Sequence, residues 1–268
     1  MYRGKTVFIT GGAGGIGMAI ARRFAADGAR IALFDLRQEA VDSATAALRA
    51  GTAEVLGIAG DLTCPEDCVG AVAKTSSEFG GIDVLVHCAG LTQVGPFIEN
   101  DLSVYRRVME VNFFGAVHMT RCALDALVAR RGQIVVLSSI AGFAPLLGRT
   151  GYCASKHALH GFFDTLRCEL AGHGVGVTVV CPSFVDTRFA DRGLDSAGQP
   201  LGFDRSTTGK FLSPDAVAEA IFHAARKRKR LLVLSTTGKL AWWVSRLAPG
   251  FYERSMTRRF QIELERHK

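Results

Sequence analysis

Seven short apolar segments alternate with segments of helical periodicity along most of the chain. The intervening segments, such as 104–127, place apolar residues at i, i+3 and i+4, as amphipathic helices do. The apolar segments are rich in Val, Ile and Leu and lack a period of two, which is typical of strands buried on both faces. These predicted strands are 5–10, 30–35, 54–60, 82–88, 133–138, 175–181 and 231–235. The alternation predicts an α/β fold: a Rossmann-type, doubly wound parallel sheet of about seven strands flanked by helices.

The length of 268 residues suits a single domain over 1–268, with two segments that lack the regular pattern. Residues 188–212 hold Gly, Asp, Ser and Pro without a clear period, so we expect a variable substrate loop there. Residues 236–268 form a basic and aromatic C-terminal extension. Helix starts are predicted at 63–66 and 213–215, where a hydroxyl residue is followed by Pro.

The net charge of +7 lies in the C-terminal part of the chain. Residues 226–268 hold twelve Lys/Arg and three Asp/Glu, a balance of +9, which leaves −2 for the first 225 residues. Basic charge beside Trp242, Trp243 and Phe251 suits packing against the domain or a second subunit, which we favour, and it also suits peripheral membrane contact. We expect no nucleic-acid partner, because no recognised binding motif accompanies the charge.

Seven scattered cysteines, with no complementary Cys or His pair beside Cys64 and Cys68, predict free thiols and no metal site. The N-terminus enters a strand-like segment directly, so no signal peptide is expected, and no apolar run of 18 residues predicts a spanning helix. These features favour a cytoplasmic location.

A glycine-rich turn, Gly11 to Gly17, stands between the first predicted strand and the first predicted helix. Glycines at this position allow a tight turn and let backbone N–H groups approach a pyrophosphate at the helix N-terminus. Asp35 ends the second strand 18 residues after Gly17, where a carboxylate accepts the ribose hydroxyls of NAD and repels the 2′-phosphate of NADP. Arg37 lies two residues further on and could favour NADP, but we expect NAD as the cofactor and NADP as the less favoured alternative.

These motifs, with others further along the chain, resemble those of the classical short-chain dehydrogenase/reductase family over about residues 5–188. The glycine turn matches the cofactor motif of the family, and Tyr152, Lys156 and Ser139 match its catalytic trio. Asn112 resembles its helix asparagine. The resemblance and the turn together imply these cofactor-binding residues: Gly11, Ala13, Gly14, Gly15, Ile16, Gly17, Asp35, Arg37, Asp61, Leu62, Cys88, Ala89, Gly90, Tyr152, Lys156, Pro182, Val185 and Thr187.

Two departures from the family pattern bear on this site. His87 and Cys88 replace two asparagines, so we expect altered local hydrogen bonding with binding retained. Ser183 replaces a glycine, and a glycine position can require a backbone conformation that serine resists.

Tyr152 and Lys156 are four residues apart at the start of a helical pattern, so their side chains share one face. A tyrosine with its ordinary pKa of about 10 is a poor base at neutral pH, and a nearby ammonium favours the phenolate. Tyr152 is therefore the candidate general acid/base. Ser139, thirteen residues earlier, can hydrogen-bond the substrate oxygen, and the resemblance implies that Asn112 holds water in a proton relay.

The expected function is hydride transfer between a nicotinamide and a secondary alcohol or ketone. Apolar residues dominate the candidate substrate lining, so a hydrophobic substrate such as a steroid, lipid or aromatic compound is expected, although three nearby arginines keep an acidic group possible. The candidates are Gly142, Phe143, Ala144, Pro145, Leu146, Leu147, Phe184, Phe189, Leu194 and Phe203, with Arg149, Arg188 and Arg192. The alternatives are a catalytically silent nucleotide-binding scaffold and a membrane-docked lipid-ketone reductase. The resemblance also implies a homodimer or homotetramer formed through helices near 102–130 and 152–172.

Overall fold

The computed structural model of the chain describes residues 1–51, 53–187, 189, 191, 193–201 and 211–265, without the side chains of 262–265. Within them, seven parallel strands form one sheet in the order β3-β2-β1-β4-β5-β6-β7. The strands are β1 Thr6–Thr10, β2 Arg30–Asp35, β3 Val55–Ala59, β4 Val84–His87, β5 Gln133–Leu137, β6 Gly176–Cys181 and β7 Leu231–Val233. The predicted α/β fold with a doubly wound parallel sheet is confirmed.

Helices connect the strands and cover both faces of the sheet. They are α1 Gly15–Ala25, α2 Gln38–Arg49, α3 Pro65–Phe79, α4 Leu102–Met109, α5 Gly115–Arg130, α6 Thr150–Glu169, α7 Pro214–Arg226, α8 Thr236–Leu247 and α9 Pro249–Glu265. The helical pattern predicted over 104–127 is interrupted by a π-helical turn at Glu110–Phe114, which joins α4 to α5. None of the described helices is both long and apolar enough to cross a membrane.

The apolar side chains of the strands alternate between two cores, one on each face of the sheet. On one face, Val7 and Ile9 of β1 pack with residues of α1 and α7. On the other face, Phe8 of the same strand packs with residues of α3, α5 and α6. A strand that buries both of its faces needs a continuous apolar run, which is why the strands show no period of two.

The order in which the strands are added to the sheet changes direction between β1 and β4. The order runs outward from β1 through β2 and β3 on one side, and from β4 to β7 on the other. In a sheet of this type, the crevice at the carboxyl ends of the two central strands is where ligands bind. The turns that follow Thr10 and His87 lie at this crevice.

The two predicted helix starts have different caps. Ser213 accepts a hydrogen bond from the backbone N–H of Ala216 at 3.2 Å, as a capping serine does. At α3 the expected hydroxyl cap is wrong, because Cys64 occupies the N-cap position without a side-chain bond. The hydroxyl of Thr63 instead donates to the Asp61 carboxylate at 2.7 Å.

The C-terminal extension folds back on the domain as α8 and α9. Trp242 of α8 packs edge-on against Phe143, with ring centroids 4.8 Å apart. Phe260 of α9 is 4% exposed, and the sulfur of Met256 accepts the backbone N–H of Leu147 at 3.1 Å. The favoured interpretation of this segment, packing against the domain, agrees with these contacts.

Candidate active site

The glycine turn leaves β1 at Thr10 and enters α1 at Gly15. Gly11 has a φ of +64°, and a Cβ there would lie 2.7 Å from the backbone N and Cα of Ala89. A Cβ at Gly17 would collide with the carbonyl oxygen of Gly11. Glycine at these positions therefore lets the turn pack closely against the residues that follow β4 and against its own backbone.

Asp35, at the end of β2, holds the glycine turn from below. Its carboxylate oxygens accept the backbone N–H of Ala13 at 3.1 Å and of Leu36 at 2.9 Å. The residue is 7% exposed. Arg37, the N-cap residue of α2, is exposed nearby. The carboxylate thus has a structural bond to the turn besides the ribose contact that the sequence predicted.

Asp61 and Leu62 follow β3 on the far side of the same crevice. The Asp61 backbone N–H donates to Asp67 at 2.7 Å, and its carboxylate accepts the Thr63 N–H at 2.8 Å. Leu62 is buried, and a Cβ at Gly115 of α5 would lie 2.7 Å from its Cγ. These contacts fix the turn through its own backbone.

The turn after β4 is bound to the end of β1 by a threonine hydroxyl. Thr10 Oγ1 accepts the backbone N–H groups of Cys88 and Ala89 at 3.3 and 3.4 Å. The preceding His87 is buried, with Nε2 2.8 Å from the Thr120 hydroxyl and Nδ1 without a partner among the described residues. Burial lowers the pKa of His87 to about 3, so the ring is neutral. The altered hydrogen bonding expected where His87 and Cys88 replace asparagines stays a prediction, and these are the contacts that the present side chains make.

Asn112 lies in the π-helical turn and is 2% exposed. Its amide accepts the Leu91 N–H at 2.6 Å and donates to the Leu91 carbonyl at 2.8 Å and to the Ser155 hydroxyl at 2.8 Å. A π-turn rotates the side chains that follow it, and such turns are frequent at functional sites. Here the turn directs Asn112 between the β4 turn and α6.

Tyr152 and Lys156 lie in the first two turns of α6. The Lys156 ammonium is 5.7 Å from the centroid of the Tyr152 ring and donates to the Leu137 carbonyl at 2.9 Å. Lys156 is 4% exposed, and this burial lowers its pKa from 10.5 to about 8. The nearby Cys88 and Cys181 act in the opposite direction and raise the pKa of Lys156. The predicted shared face is therefore present, and it points a buried cation at the tyrosine.

The two serines that end β5 have different surroundings. Ser139 is half-buried at the cavity, and its Oγ accepts the Ala141 N–H at 3.2 Å. Ser138 is buried and donates to the Lys156 backbone carbonyl at 3.4 Å. Both serines line the cavity, and the contact of Ser139 with the substrate oxygen stays a prediction.

The turn after β6 closes over the first residue of α1. A Cβ at Gly15 would lie 2.7 Å from Cγ2 of Thr187, so this glycine permits the approach. Ser183 does not have a positive φ, so serine at this position causes no backbone strain. The concern raised by its replacement of a glycine is therefore removed.

One cavity of about 420 Å³ joins most of the predicted residues. Its lining includes Gly11, Gly14, Gly15, Ile16, Gly17, Cys88, Ala89, Gly90, Ser139, Tyr152, Lys156, Pro182, Val185 and Thr187. Ala13, Asp35, Arg37, Asp61, Leu62 and Asn112 lie outside this lining. Asn112 is buried and bonded to Leu91 and Ser155, Ala13 lies in the glycine turn, and the other four lie at or after the ends of β2 and β3. No group of metal-ligating side chains is found in the described part of the chain.

The predicted substrate lining is only partly right. Ala144, Pro145, Leu146, Arg149, Phe184 and Phe189 line the cavity. Gly142, Phe143, Leu147 and Leu194 do not, because they pack into the surrounding structure. Phe203, Arg188 and Arg192 lie outside the described residues. Arg149 is 2% exposed and donates to the Leu147 carbonyl at 3.2 Å, so it also has a structural bond.

The remaining wall of the cavity is formed by α8 and α9, which sequence reasoning did not assign to the site. The two helices contribute Thr237, Leu240, Ala241, Val244, Phe251, Tyr252, Ser255, Met256, Arg259 and Phe260. The first four follow an i, i+3, i+4, i+7 pattern, which is the signal that could have revealed this face.

Gln93 is a second residue that the motifs did not identify. It is fully buried, and its Oε1 accepts the backbone N–H of Tyr152 at 3.1 Å. A first-turn N–H of a helix has no partner within the helix, so this bond fixes the start of α6. Gln93 thereby positions the tyrosine from a segment 59 residues earlier.

Comparison with known proteins gives a consistent family. A family model described as short chain dehydrogenase matches residues 5–196. Dehydrogenase/reductase SDR family member 7B of Bos taurus is 36% identical over 269 residues, which covers 97% of this chain and 83% of that protein. The 11-beta-hydroxysteroid dehydrogenase A of Sesamum indicum is 33% identical, covering 93% of this chain and 74% of that protein.

A solved structure has the same architecture. The short chain dehydrogenase/reductase from Burkholderia phymatum, crystallised in complex with NAD, superposes with a TM-score of 0.83 at 25% identity. The match covers 93% of this chain and 95% of that chain. Since these matches extend past residue 196, they include part of the segment that walls the cavity.

Proposed function

Because the chain belongs to the short-chain dehydrogenase/reductase family of oxidoreductases, we propose that it transfers a hydride between NAD(H) and an apolar secondary alcohol or ketone. One observation carries the proposal: a single cavity is lined by the glycine turn, Ser139, Tyr152 and Lys156. A phosphate-binding surface and a proton-transfer pair are thus adjacent, as hydride transfer to a carbonyl requires.

The residues at the glycine turn fit a dinucleotide. Gly11, Gly14, Gly15 and Gly17 line the cavity without side chains, and the first backbone N–H groups of α1 have no partner within the helix. The turn would hold the pyrophosphate, Asp35 the adenosine ribose, and Pro182 to Thr187 the nicotinamide side. When bound, the nicotinamide accepts or supplies the hydride.

Tyr152 holds the proton that the substrate oxygen gains or loses. In reduction its phenol donates to the carbonyl oxygen, and in oxidation its phenolate accepts from the alcohol. Lys156 favours the phenolate, because at neutral pH an amine with a pKa of about 8 is mostly protonated. The Ser139 hydroxyl donates a hydrogen bond to the same oxygen and stabilises its developing charge.

Tyr152→Phe tests this assignment. The variant keeps the ring and its packing, with centroids 6.4 Å from Phe189, and loses only the hydroxyl. We expect kcat for ketone reduction to fall at least 100-fold, while NADH affinity stays within about threefold. Unchanged turnover would refute the acid/base role, and absence of turnover by the parent protein with both NADH and NADPH would favour the silent scaffold.

The preference for NAD over NADP is supported by the position of Asp35 at the end of β2. A carboxylate there repels a 2′-phosphate, whereas exposed Arg37 would attract it. We expect tighter binding of NADH than of NADPH in a protein-fluorescence titration. Tighter NADPH binding would contradict this part of the proposal. In that case Asp35→Ser should leave the ratio of the NADH and NADPH dissociation constants unchanged.

Peripheral membrane contact is a second proposal, favoured by the outer face of α8. Trp243 and Leu247 lie four residues apart on α8 and are 61% and 77% exposed, and Phe251 of α9 is 63% exposed. Co-sedimentation with anionic vesicles should fall in a Trp243→Ser/Leu247→Ser variant. Equal, negligible binding by both proteins would exclude this contact.

Two further predictions stay open. A homodimer or homotetramer through α4, α5 and α6 can be checked by light scattering. The cytoplasmic location stays a prediction, and all seven cysteines are unpaired, as that location would require.

A further inference from the structure

The cavity continues onto a second, shallower depression along α9. This outer depression is lined by Phe251, Arg254, Ser255, Arg258 and Arg259. Three of them, Phe251, Ser255 and Arg259, also line the main cavity. A ligand that fills the cavity can therefore extend directly between the arginines.

Arg254 and Arg258 carry uncompensated charge at this position. They are four residues apart on α9 and both exposed, so they lie side by side on one face of the helix. No described carboxylate forms a salt bridge with either of them. Like charges at this spacing weaken a helix, so the fold alone gives no reason for the pair. A guanidinium pair is suited to a carboxylate or a phosphate.

The inner part of the cavity has the opposite character. Leu146, Val244, Met256 and Phe260 form its wall between Tyr152 and α9. An anionic group placed among these side chains would lose its hydration without gaining a partner. Arg149 also lines the cavity, but its guanidinium donates to the Leu147 carbonyl, so an anion is favoured at the outer end and the part of the ligand that packs on these four side chains must be apolar.

The required shape follows from the two linings. Tyr152 lines the main cavity and not the outer depression, whereas Arg254 and Arg258 line the outer depression and not the main cavity. A ligand that reaches both therefore carries its carbonyl and its anionic group at separate ends, joined by an apolar segment.

We infer that the substrate is a long-chain ketone or secondary alcohol with a carboxylate or phosphate at the end remote from the reacting carbon, held by Arg254 and Arg258. This inference rests on the proposed function and narrows its substrate class. The arginines act as specificity residues, since they contact the remote group and not the reacting atoms.

The test compares three ketones that have the same alkyl chain and differ at the remote end: a carboxylate, a phosphate monoester and the methyl ester of the carboxylate. Each is used below its micelle concentration with saturating NADH. The variants are Arg254→Gln/Arg258→Gln and the charge-retaining Arg254→Lys/Arg258→Lys. Arg226→Ala/Lys227→Ala, at the exposed end of α7, is the matched control for loss of two positive charges.

We expect the parent protein to prefer the anionic ketones about fivefold or more in kcat/KM, with the difference in KM. The Gln variant should lose this preference without a change in turnover of the ester, whereas the Lys variant and the control should keep it. The preference should also weaken as salt is added. The carboxylate and the phosphate arms tell which anion fits better.

Equal use of ester and acids by the parent protein, or a preference that survives in the Gln variant, would overturn the inference while leaving the proposed reaction intact. Failure of the parent protein to reduce the ester and both acids would overturn the proposed function and the inference with it. Turnover of the ester thus distinguishes the two failures.

Discussion

Burying the Lys156 ammonium costs folding free energy that can be measured. Lys156 is 4% exposed, and its pKa falls from 10.5 to about 8 because of that burial. We predict that Lys156→Met makes the protein more stable at neutral pH while abolishing activity. This is the stability cost of a site built for chemistry rather than for packing.

The magnitude follows from the two pKa values. Between pH 8 and 10.5 the unfolded chain binds the proton and the folded protein does not, so the stability of the parent protein rises with pH across this window. The cost of keeping Lys156 folded is about 3 kcal/mol at pH 7 and about 1 kcal/mol at pH 10. The Met variant also loses the bond to the Leu137 carbonyl, which offsets about 1 kcal/mol at every pH.

The assay is urea unfolding of the parent protein and the variant at pH 7 and pH 10, without cofactor. The advantage of Lys156→Met should be about 2 kcal/mol at pH 7 and should disappear at pH 10, a fall of about 2 kcal/mol. Comparing the two proteins at each pH removes the contribution of groups that do not interact with Lys156. Lys74→Met, on the exposed face of α3, is the control and should show no pH-dependent difference.

The reasoning would be refuted if the difference between parent and Met variant were the same at both pH values. That result would mean that Lys156 titrates in the folded protein as it does in the unfolded chain. The hypothesis of a tuned Tyr152–Lys156 pair would then lose its electrostatic basis.

Three further predictions concern the glycine turn, the packing of α8 and the buried histidine at the end of β4. Gly11→Ala should weaken NADH binding at least tenfold, because its Cβ would meet Ala89, whereas Gly70→Ala, with open space around it, should raise stability by about 0.5–1 kcal/mol; fluorescence titration and urea unfolding check both. Trp242→Ala should cost about 2 kcal/mol and raise the substrate KM, since Trp242 packs on Phe143 and under Arg246, while exposed Trp243→Ala should stay within about 0.5 kcal/mol; a small effect at both positions would show that α8 is not held by this contact. The parent protein should lose about 2.5 kcal/mol of stability through His87 between pH 7 and pH 4.5, because the folded pKa of His87, about 3, lies below the unfolded value of 6.5. His87→Asn should not show this loss, and parallel curves of stability against pH for the two proteins would contradict the prediction.

The sheet was predictable from the sequence because buried parallel strands have a simple composition. The predicted strand 30–35 matches β2 residue for residue. The last strand is shorter than the predicted 231–235, since Ser235 caps α8 by accepting the Gly238 N–H at 2.9 Å. Ser235 belongs to the predicted strand by pattern, but its side chain is a helix-capping signal, and this signal marks the end of the strand.

The residues that a linear motif contains were predictable, and those that act across the fold were not. Tyr152 and Lys156 share a helix face, so their spacing predicts their proximity. Gln93 and Thr10 act through bonds to backbone groups of other elements, 59 and 78 residues away. Such partners depend on strand order and turn geometry, which no local pattern contains.

The aromatic and basic C-terminal segment was recognised by composition but not by structure. Its composition favoured packing against the domain or a second subunit over membrane contact, and the spacing of Thr237, Leu240 and Val244 indicates the helix face that is turned towards the domain. Trp242 and Trp243, adjacent in sequence, face the domain and the solvent respectively. One helix therefore accounts for both interpretations of the segment.

The residues proposed to carry the reaction and those of α8 and α9 that would contact the substrate lie in different parts of the chain. The glycine turn, Ser139, Tyr152 and Lys156 all lie within residues 5–196, the part that the family model matches. One part of the wall that a substrate would touch, α8 and α9, lies after residue 235, outside that match. Changes in the last helices can therefore alter which molecule is accepted while the reaction stays constant, so that the C-terminal thirty or so residues form a unit of evolutionary change, and of engineering, for substrate range.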